Sequence, residues 1–287
     1  MPQVTLKSPA KINLYLRVLG KRPDGYHDIE TVFERIDLCD ELSFRPIPEQ
    51  IVVKCDDPQV PCDQRNLVYK AAQMLKDRYA IPSLGVEIIL KKNIPVAAGL
   101  GGASSNCAYA LRGLNELWGL KLEKREIFEI GSAIGADVAF FLMDTGRAIG
   151  RGRGEALEAV PQGAGFWYLL VNPGFPVLAK DAYQGLNLGL TPTPGHSKIN
   201  PASLEGIDTD KLKGLVFNSL EDPVVRKHVA ISEIKSEVTR SGLNVVMMSG
   251  SGPTVFGAAS RKEEVLDARS RLALREGWRA FIASTLW

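Results

Sequence analysis

The sequence lacks the long apolar run that a membrane-spanning helix requires. No stretch approaches the roughly 18 uninterrupted apolar residues of such a helix, and residues 1–18 do not have the pattern of a signal peptide. A large charge of one sign is missing too, because 35 Lys and Arg oppose 33 Asp and Glu, which leaves a net charge of +2. We therefore expect a cytoplasmic protein with no membrane partner and no nucleic-acid partner.

Cysteine is scarce as well. The four cysteines are Cys39, Cys55, Cys62 and Cys107. None forms a C-x-x-C pair, and the three histidines stand apart from the cysteines and from one another. These spacings argue against a zinc site and predict no metal ligand among them. Reduced cysteines are the expectation for a cytoplasmic protein.

Hydrophobic periodicity predicts clusters of strands with helices between them. The predicted strands cover residues 10–18, 31–42, 86–90, 138–143, 166–171, 245–248, 254–258 and 278–283. The predicted helices cover residues 65–79, 103–118, 122–134, 221–240 and 261–276. Residues 146–154, rich in Gly and Arg, and the Pro-rich residues 191–201 predict loops. Clustered strands favour an α+β fold over a doubly wound parallel sheet, with two domains at 1–158 and 159–287.

The first predicted strand alternates cleanly between apolar and polar residues. Ile12, Leu14 and Leu16 point one way, and Lys11 and Asn13 point the other. Alternation of period two predicts a half-buried strand. Taken alone, it favours a solvated face for Lys11 and Asn13.

A Gly-rich segment, Pro-Val-Ala-Ala-Gly-Leu-Gly-Gly-Ala-Ser-Ser over residues 95–105, precedes a predicted helix. Glycines allow positive φ, and a helix N-terminus directs free N–H groups at an anion, so the segment predicts a phosphate site. Ser104 and Ser105 add hydroxyls for phosphate oxygens or for a nearby Mg²⁺. The Walker A lysine is absent, and the third small position of a dinucleotide fingerprint is Ser. The alternative is a Gly-rich turn with an N-capping Ser.

Three segments together resemble the motifs of the GHMP kinases. Ser8–Leu14 matches the first motif, residues 95–105 match the second, and Ser249–Thr254 matches the third, in the family's order. The resemblance implies a two-domain GHMP kinase fold, with a left-handed βαβ-containing N-terminal domain (ribosomal protein S5 domain 2-like) and an α/β C-terminal domain. It also implies that ATP, with Mg²⁺, binds to Pro95, Val96, Ala97, Ala98, Gly99, Leu100, Gly101, Gly102, Ala103, Ser104 and Ser105.

Three further segments narrow the resemblance within that family. Lys11–Leu16, Arg22–His27 and Gly135–Val138 are similar to segments of the GHMP kinases that act in the non-mevalonate (methylerythritol phosphate) route to isoprenoid precursors. The implied substrate carries a cytidine diphosphate group, and its tertiary alcohol receives the γ-phosphoryl group of ATP. The implied catalytic residues are Asp137, as the base, and Lys11 beside it. The implied substrate-binding residues are Asn13, Tyr26, His27, Phe33 and Tyr183.

The roles of these substrate residues follow the same resemblance. Tyr26 is implied to stack on cytosine, Tyr183 to form a second aromatic wall, and His27 to pair with the edge of the base. The alternatives are an ordinary hairpin for Tyr26 and His27, a helix residue packed on the core for Tyr183, and a turn residue for Asp137. Arg151 and Arg153 could contact phosphates or only solvent.

Other functions are compatible with parts of the sequence. A GHMP kinase for mevalonate or homoserine would share the three motifs but would not need Tyr26 and His27. A ligand-binding sensor on the same fold would not need Lys11 and Asp137. An oxidoreductase would need an acidic residue about twenty positions beyond the Gly-rich loop in a βαβ unit. We expect the protein to be a monomer or a weak homodimer.

Overall fold

The computed structural model describes residues 3–186 and 199–287. Within them the strands are β1 (Val4–Lys21), β2 (His27–Pro48), β3 (Ile51–Cys55), β4 (Leu84–Lys91), β5 (Arg147–Gly152), β6 (Ala156–Ala159), β7 (Trp167–Asn172), β8 (Phe217–Asn218), β9 (Val245–Met248), β10 (Val255–Ala259) and β11 (Arg279–Ser284). The helices are α1 (Leu67–Arg78), α2 (Gly102–Leu117), α3 (Lys124–Ile134), α4 (Ala136–Leu142), α5 (Ala179–Gln184), α6 (Pro201–Leu204), α7 (Thr209–Leu215), α8 (Glu221–Lys227), α9 (Val229–Arg240) and α10 (Lys262–Arg271). The predicted α+β class is confirmed.

The described chain divides into two compact units that are discontinuous in sequence. Unit 1 contains the described residues up to Ala10, then Cys39–Val96 and Gly101–Asp144. Unit 2 contains Lys11–Leu38, Ala97–Leu100 and the described residues from Thr145 onward. Strands β1 and β2 therefore contribute residues to both units. The domain limits at 158 and 159 stay a prediction, since these units are groups in space rather than continuous segments.

Unit 1 combines strands with the helices α1–α4. The second half of β2 pairs antiparallel with β4, and β3 pairs parallel with β4, so β3, α1 and β4 form a β-α-β unit. The side chain of Asn66 caps α1 by accepting a hydrogen bond from the N–H of Val68. Glu123 and Glu126 form a capping box at the start of α3. Local signals therefore fix where these helices begin.

Unit 2 contains two groups of paired strands. The first half of β2 pairs antiparallel with β5, and β5 pairs with β6. A four-stranded antiparallel sheet has the order β11-β7-β10-β9. Its core includes Leu169, Val171, Val255, Ile234 and Val265, so helices α9 and α10 cover this sheet with apolar residues. Among the described helices, none has the length and apolar character of a membrane span.

Three predictions from periodicity are wrong. Residues 138–143, expected as a strand, fall mainly in α4, whose apolar run is buried on all sides and therefore has no diagnostic period. Residues 146–154, expected as a loop, contain β5, because pairing with both β2 and β6 outweighs the low strand preference of Gly. Strand β1, expected to be half-buried, is buried on both faces from Ser8 to Leu16. The loop expected at 191–201 lies largely outside the described residues.

Candidate active site

The Gly-rich loop turns sharply just before α2. Ala97, Gly99 and Gly101 have φ of 48°, 76° and 68°, in the left-handed region. Gly101 is the N-cap of α2 and offers no side-chain cap. The alternative of an N-capping Ser is therefore wrong, because Ser104 and Ser105 lie within the first turn. The first N–H groups of a 16-residue helix remain available for an anion, as the phosphate-site prediction requires.

Hydrogen bonds within unit 2 join parts of the three motifs. The N–H of Lys11 donates to the carbonyl oxygen of Leu100 (3.0 Å). The hydroxyl of Ser249 accepts from the N–H of Asn13 (3.3 Å) and donates to the carbonyl oxygen of Gly99 (3.0 Å). One serine of the third motif thus holds the first motif and the Gly-rich loop at fixed positions.

Lys11 and Asn13 form a buried polar pair beside that serine, and the ring of Phe33 lies next to it. Lys11 is 5% exposed and Asn13 is 1% exposed, so a solvated strand face is wrong. The Nζ of Lys11 donates to the Oδ1 of Asn13 (2.6 Å) and lies 5.6 Å from the ring centroid of Phe33. The Nδ2 of Asn13 donates to the hydroxyl of Thr31 (2.8 Å). A buried ammonium needs such partners, and these contacts fix its position.

The predicted aromatic residues form a second group in unit 2. The ring centroids of His27 and Tyr183 are 4.9 Å apart, with the planes inclined by 23°. Burial lowers the pKa of His27, and the charge of Lys21 lowers it further. Tyr26 is 58% exposed, and the guanidinium of Arg153 lies 5.1 Å from its ring centroid. His27 is therefore stacked on Tyr183, and its surroundings favour the neutral form of the imidazole.

The segment that carries Tyr183 is also tied to the Gly-rich loop. Tyr183 lies in the short helix α5, and its ring packs on the core of unit 2. Two residues before that helix, the N–H of Val177 donates to the carbonyl oxygen of Ala97 (3.1 Å). This hydrogen bond ties the chain six residues before Tyr183 to the predicted nucleotide loop.

Unit 1 carries the remaining predicted residues. Asp137 is half-buried in the first turn of α4, and its pairing with Lys11 of unit 2 stays a prediction. The hydroxyls of Ser8 and Ser105 are 2.7 Å apart in the interior, whereas Ser104 is only half-buried on the same turn of α2. The position of Ser104 leaves its hydroxyl better placed for a ligand than that of Ser105.

A buried carboxylate supports the start of the Gly-rich loop. Asp40 is fully buried and accepts hydrogen bonds from the N–H groups of Asn93 and Ile94 and from the side chain of Asn106. Lys92 forms a salt bridge with the same carboxylate. This cluster fixes both the chain that enters the loop and the helix that leaves it.

Several residues that shape the site have contacts that the sequence does not predict. The sequence places Ser249 in a motif and predicts no contact for it. Asn218 holds the third motif by donating from Nδ2 to the carbonyl oxygens of Met248 and Gly250 (2.8 Å each). Neither residue has a sequence signal for these contacts, because Asn218 and Asp40 meet segments 30 or more residues away. A family motif was the only signal for Ser249.

A separate cleft of about 830 Å³ lies in unit 1. It is lined by Gln64, Leu67, Tyr69, Lys70, Gln73, Met74, Asp77, Arg78, Ala133 and Ile134. None of the residues predicted for the site belongs to this lining. Its lining comes mainly from α1 and the end of α3.

Comparisons with known proteins agree with the motifs. Residues 66–145 match the family "GHMP kinases N terminal domain". The chain is 42% identical over 260 residues to a 4-diphosphocytidyl-2-C-methyl-D-erythritol kinase of Bacillus velezensis, covering 90% of this chain and 89% of that protein. It is 40% identical over 280 residues to the kinase of the same name from Syntrophus aciditrophicus, covering 97% and 98%. A crystal structure of 4-(cytidine 5'-diphospho)-2C-methyl-D-erythritol kinase superposes with a TM-score of 0.79 at 30% identity, covering 98% of both chains.

Proposed function

Because this chain belongs to the GHMP kinase family, and within it to the 4-diphosphocytidyl-2-C-methyl-D-erythritol kinases, we propose the activity of those relatives for it. The reaction transfers the γ-phosphoryl group of ATP to the 2-hydroxyl of 4-diphosphocytidyl-2-C-methyl-D-erythritol, in the methylerythritol phosphate route to isoprenoid precursors. The observation that carries the proposal is the Ser249 hydroxyl, which joins the Gly-rich loop to the strand of Lys11 and Asn13. This is the arrangement that a phosphoryl donor and an acceptor alcohol would need.

The Gly-rich loop would hold the triphosphate of ATP. Its left-handed residues bring backbone close to a ligand, and the N-terminus of α2 favours negative charge. Phosphoryl transfer depends mainly on positioning and on neutralising charge. The loop would therefore contribute to catalysis by positioning the triphosphate and neutralising its charge, without forming a covalent bond.

Mg²⁺ fits the residues at this loop. The ion keeps several waters and commonly binds through substrate phosphates and one or two carboxylates, and the half-buried hydroxyl of Ser104 on the first turn of α2 would offer it one further oxygen. Ser104 and the phosphates would hold it. Bound there, the ion would neutralise charge on the phosphates.

Asp137 would act as the general base. A tertiary hydroxyl attacks poorly unless its proton is removed as the new bond forms, and a positioned carboxylate can accept that proton. The ammonium of Lys11, which Asn13 and Phe33 hold in place, would stabilise the negative charge that develops on the oxygen.

The cytidine group would bind at Tyr26 and His27. A base between the rings of His27 and Tyr183 would need them about 7 Å apart, twice the roughly 3.4 Å spacing of stacked bases, and they are 4.9 Å apart. The base would therefore stack on Tyr26 or replace part of the His27–Tyr183 stack. Stacking of this kind contributes about 1–3 kcal/mol per base.

Turnover with purified protein tests the function. The protein is incubated with ATP, Mg²⁺ and 4-diphosphocytidyl-2-C-methyl-D-erythritol, and ADP release and product mass are followed. Mevalonate and homoserine replace the substrate in parallel reactions. Turnover that requires the cytidine group supports the proposal. Turnover only with mevalonate or homoserine would keep the family and overturn the substrate, and ATP binding without any turnover would favour a sensor.

The proposal also covers the ligand class, the compartment and the oligomeric state of the enzyme. With a net charge of +2, it would bind small molecules rather than nucleic acid. We place it in the cytoplasm as a monomer or weak homodimer, where its free cysteines would stay reduced. Size-exclusion chromatography with light scattering measures the oligomeric state.

A further inference from the structure

The hydroxyl of Thr31 joins β2 to β1 in the interior of unit 2. Thr31 is 0% exposed. Its hydroxyl donates to the carbonyl oxygen of Tyr15 (2.6 Å) and accepts a hydrogen bond from the Nδ2 of Asn13 (2.8 Å). Asn13 and Tyr15 are two residues apart on β1. One side chain of β2 therefore contacts β1 both at its backbone and at a side chain of the site.

These two contacts fix which way the Asn13 amide faces. A backbone carbonyl oxygen can only accept, so the single proton of the Thr31 hydroxyl goes to Tyr15. The hydroxyl can then only accept from Asn13, and the amide must present its NH₂ group to Thr31. The carbonyl end of the same amide faces Lys11, whose Nζ donates to Oδ1 (2.6 Å). A flipped amide would place its NH₂ group against the ammonium, with two donors facing each other.

The backbone of Gly250 lies close to the two atoms through which Lys11 and Asn13 are bonded. An added Cβ at Gly250 would lie 2.9 Å from the Oδ1 of Asn13 and 3.3 Å from the Nζ of Lys11. The carbonyl oxygen of Gly250 is itself held by the Nδ2 of Asn218 (2.8 Å). Because Asn13 is only 1% exposed, bulk water cannot replace the hydroxyl of Thr31 if it is removed.

We propose that Thr31 is a positioning residue for the phosphoryl transfer. Its hydroxyl orients the Asn13 amide, and the amide fixes the ammonium of Lys11 where negative charge develops on the attacking oxygen. This assignment rests on the proposed function, because the transfer is what gives Lys11 that charge to stabilise. Thr31 acts through Asn13 and is not itself a catalytic residue. A displacement of about 1 Å at a group that acts on the transition state can lower a rate roughly 100-fold.

Crystal structures without substrate test the positioning itself. Thr31→Val keeps the shape of the side chain and removes both hydrogen bonds, whereas Thr31→Ser keeps the hydroxyl. In Thr31→Val the Nζ of Lys11 and the Oδ1 of Asn13 should move beyond hydrogen-bonding distance, about 3.2 Å. In Thr31→Ser they should stay bonded. A pair that stays in place in Thr31→Val would overturn the assignment, whatever the enzyme turns over.

Steady-state kinetics test the consequence for catalysis. Thr31→Val should lower kcat roughly 10- to 100-fold and leave the KM for ATP unchanged, because the Gly-rich loop keeps its own contacts. Thr31→Ser should recover most of the kcat. Thr31→Cys, with a weaker donor and acceptor, should show a smaller fall than Thr31→Val and replaces it if that variant does not fold. Thermal unfolding checks the fold of each variant.

Thr145→Val is the matched control. The hydroxyl of Thr145 also donates to backbone carbonyl oxygens, those of Arg147 (2.9 Å) and Val160 (3.2 Å). These hydrogen bonds hold the start of β5 rather than the site. Thr145→Val therefore makes the same chemical change, and its kcat should stay at the wild-type level even if its stability falls.

Three kinetic results would overturn the assignment: an unchanged kcat in Thr31→Val, an equal fall of kcat in Thr145→Val, or a raised KM for ATP with kcat unchanged. The last would place Thr31 in the binding of substrate rather than in the transition state. Absence of turnover by the wild type with every alcohol tested would instead overturn the proposed function. The crystal structures would still decide whether Thr31 holds Lys11 and Asn13 in place.

Discussion

The hydroxyl of Ser249 and the carbonyl oxygen of Gly99 are hydrogen-bonded across 150 residues of sequence, at 3.0 Å. The same hydroxyl accepts the N–H of Asn13. A single side-chain oxygen therefore sets the position of the Gly-rich loop against the strand that carries Lys11.

Replacing Ser249 tests that dependence. Ser249→Ala leaves the buried N–H of Asn13 and the carbonyl oxygen of Gly99 without this partner, which should cost about 1–3 kcal/mol of unfolding free energy. The KM for ATP should also rise, because the loop loses its support. Urea unfolding and steady-state kinetics measure both. Ser236→Ala, at an exposed helix position, is the control; equal behaviour of the two variants would contradict the role.

Replacing Gly99 separates backbone strain from close contact. At Gly99, φ is +76° and an added Cβ would lie 2.1 Å from the carbonyl oxygen of Ser249. At Gly119, φ is +62° and nothing lies within 4 Å of an added Cβ. Both Ala variants should lose about 1–2 kcal/mol to the left-handed backbone, and Gly99→Ala should lose more and bind ATP less tightly. Equal unfolding midpoints for the two variants would contradict the close contact.

Asp137→Asn tests the proposed base. The amide cannot accept the proton of the hydroxyl, so kcat should fall about 10²- to 10⁴-fold with little change in either KM. Asp144→Asn is the control, because Asp144 is 63% exposed and pairs with Lys124 on the surface. Steady-state kinetics with both variants decides the question. A normal kcat in Asp137→Asn would remove this residue from the chemistry.

The lowered pKa of His27 gives a pH dependence with a definite sign. Since burial disfavours the charged form, the unfolded state binds more protons than the folded state below about pH 6.5. The stability contributed by His27 is therefore full above its unfolded pKa and declines as pH falls towards its folded pKa. His27→Gln should remove this part of the decline in urea unfolding between pH 7 and pH 5. An NMR titration that placed the pKa of His27 above 6.5 would contradict the sign.

Cys107 provides a check on the packing of α2. Burial raises the pKa of its thiol to about 12, and the thiolate is the form that reacts with alkylating agents. In the native protein at pH 8, iodoacetamide should modify the exposed Cys62 and leave Cys107 intact. Mass spectrometry of peptides measures each site, and unfolding in urea should make both reactive. Rapid native labelling of Cys107 would mean that α2 is not packed as described.

Much of the fold was predictable from the sequence because its signals are local. Hydrophobic periodicity placed α1, α2 and α3 correctly, and the closely spaced glycines before α2 predicted the Gly-rich loop. The wrong predictions concern segments whose structure depends on pairing or packing with residues distant in sequence. Strand β5 forms because two neighbours pair with its Gly-rich sequence, and α4 is buried all round.

The contacts of the site were less predictable than its residues. Alternation in β1 indicated two faces, and it could not show that Asn13 would meet Thr31 and Ser249 in the interior. Similarly, no spacing relates His27 to Tyr183, which are brought together by folding. Motifs supply candidate residues, while the distances between them depend on contacts between distant segments.

The hydrogen bond from Val177 to Ala97 has a consequence for inhibitors of this enzyme. If the nucleotide binds at this loop and the cytidyl group at Tyr183, as proposed, a nucleotide that orders the loop at Ala97 would also restrain the chain leading to Tyr183, and a cytidine-like inhibitor would lose less entropy when it binds second. Linkage is reciprocal, so that inhibitor would strengthen nucleotide binding by the same factor. On that proposal, the affinity of a compound directed at the cytidyl side would be higher when it is measured with a bound ATP analogue than without one.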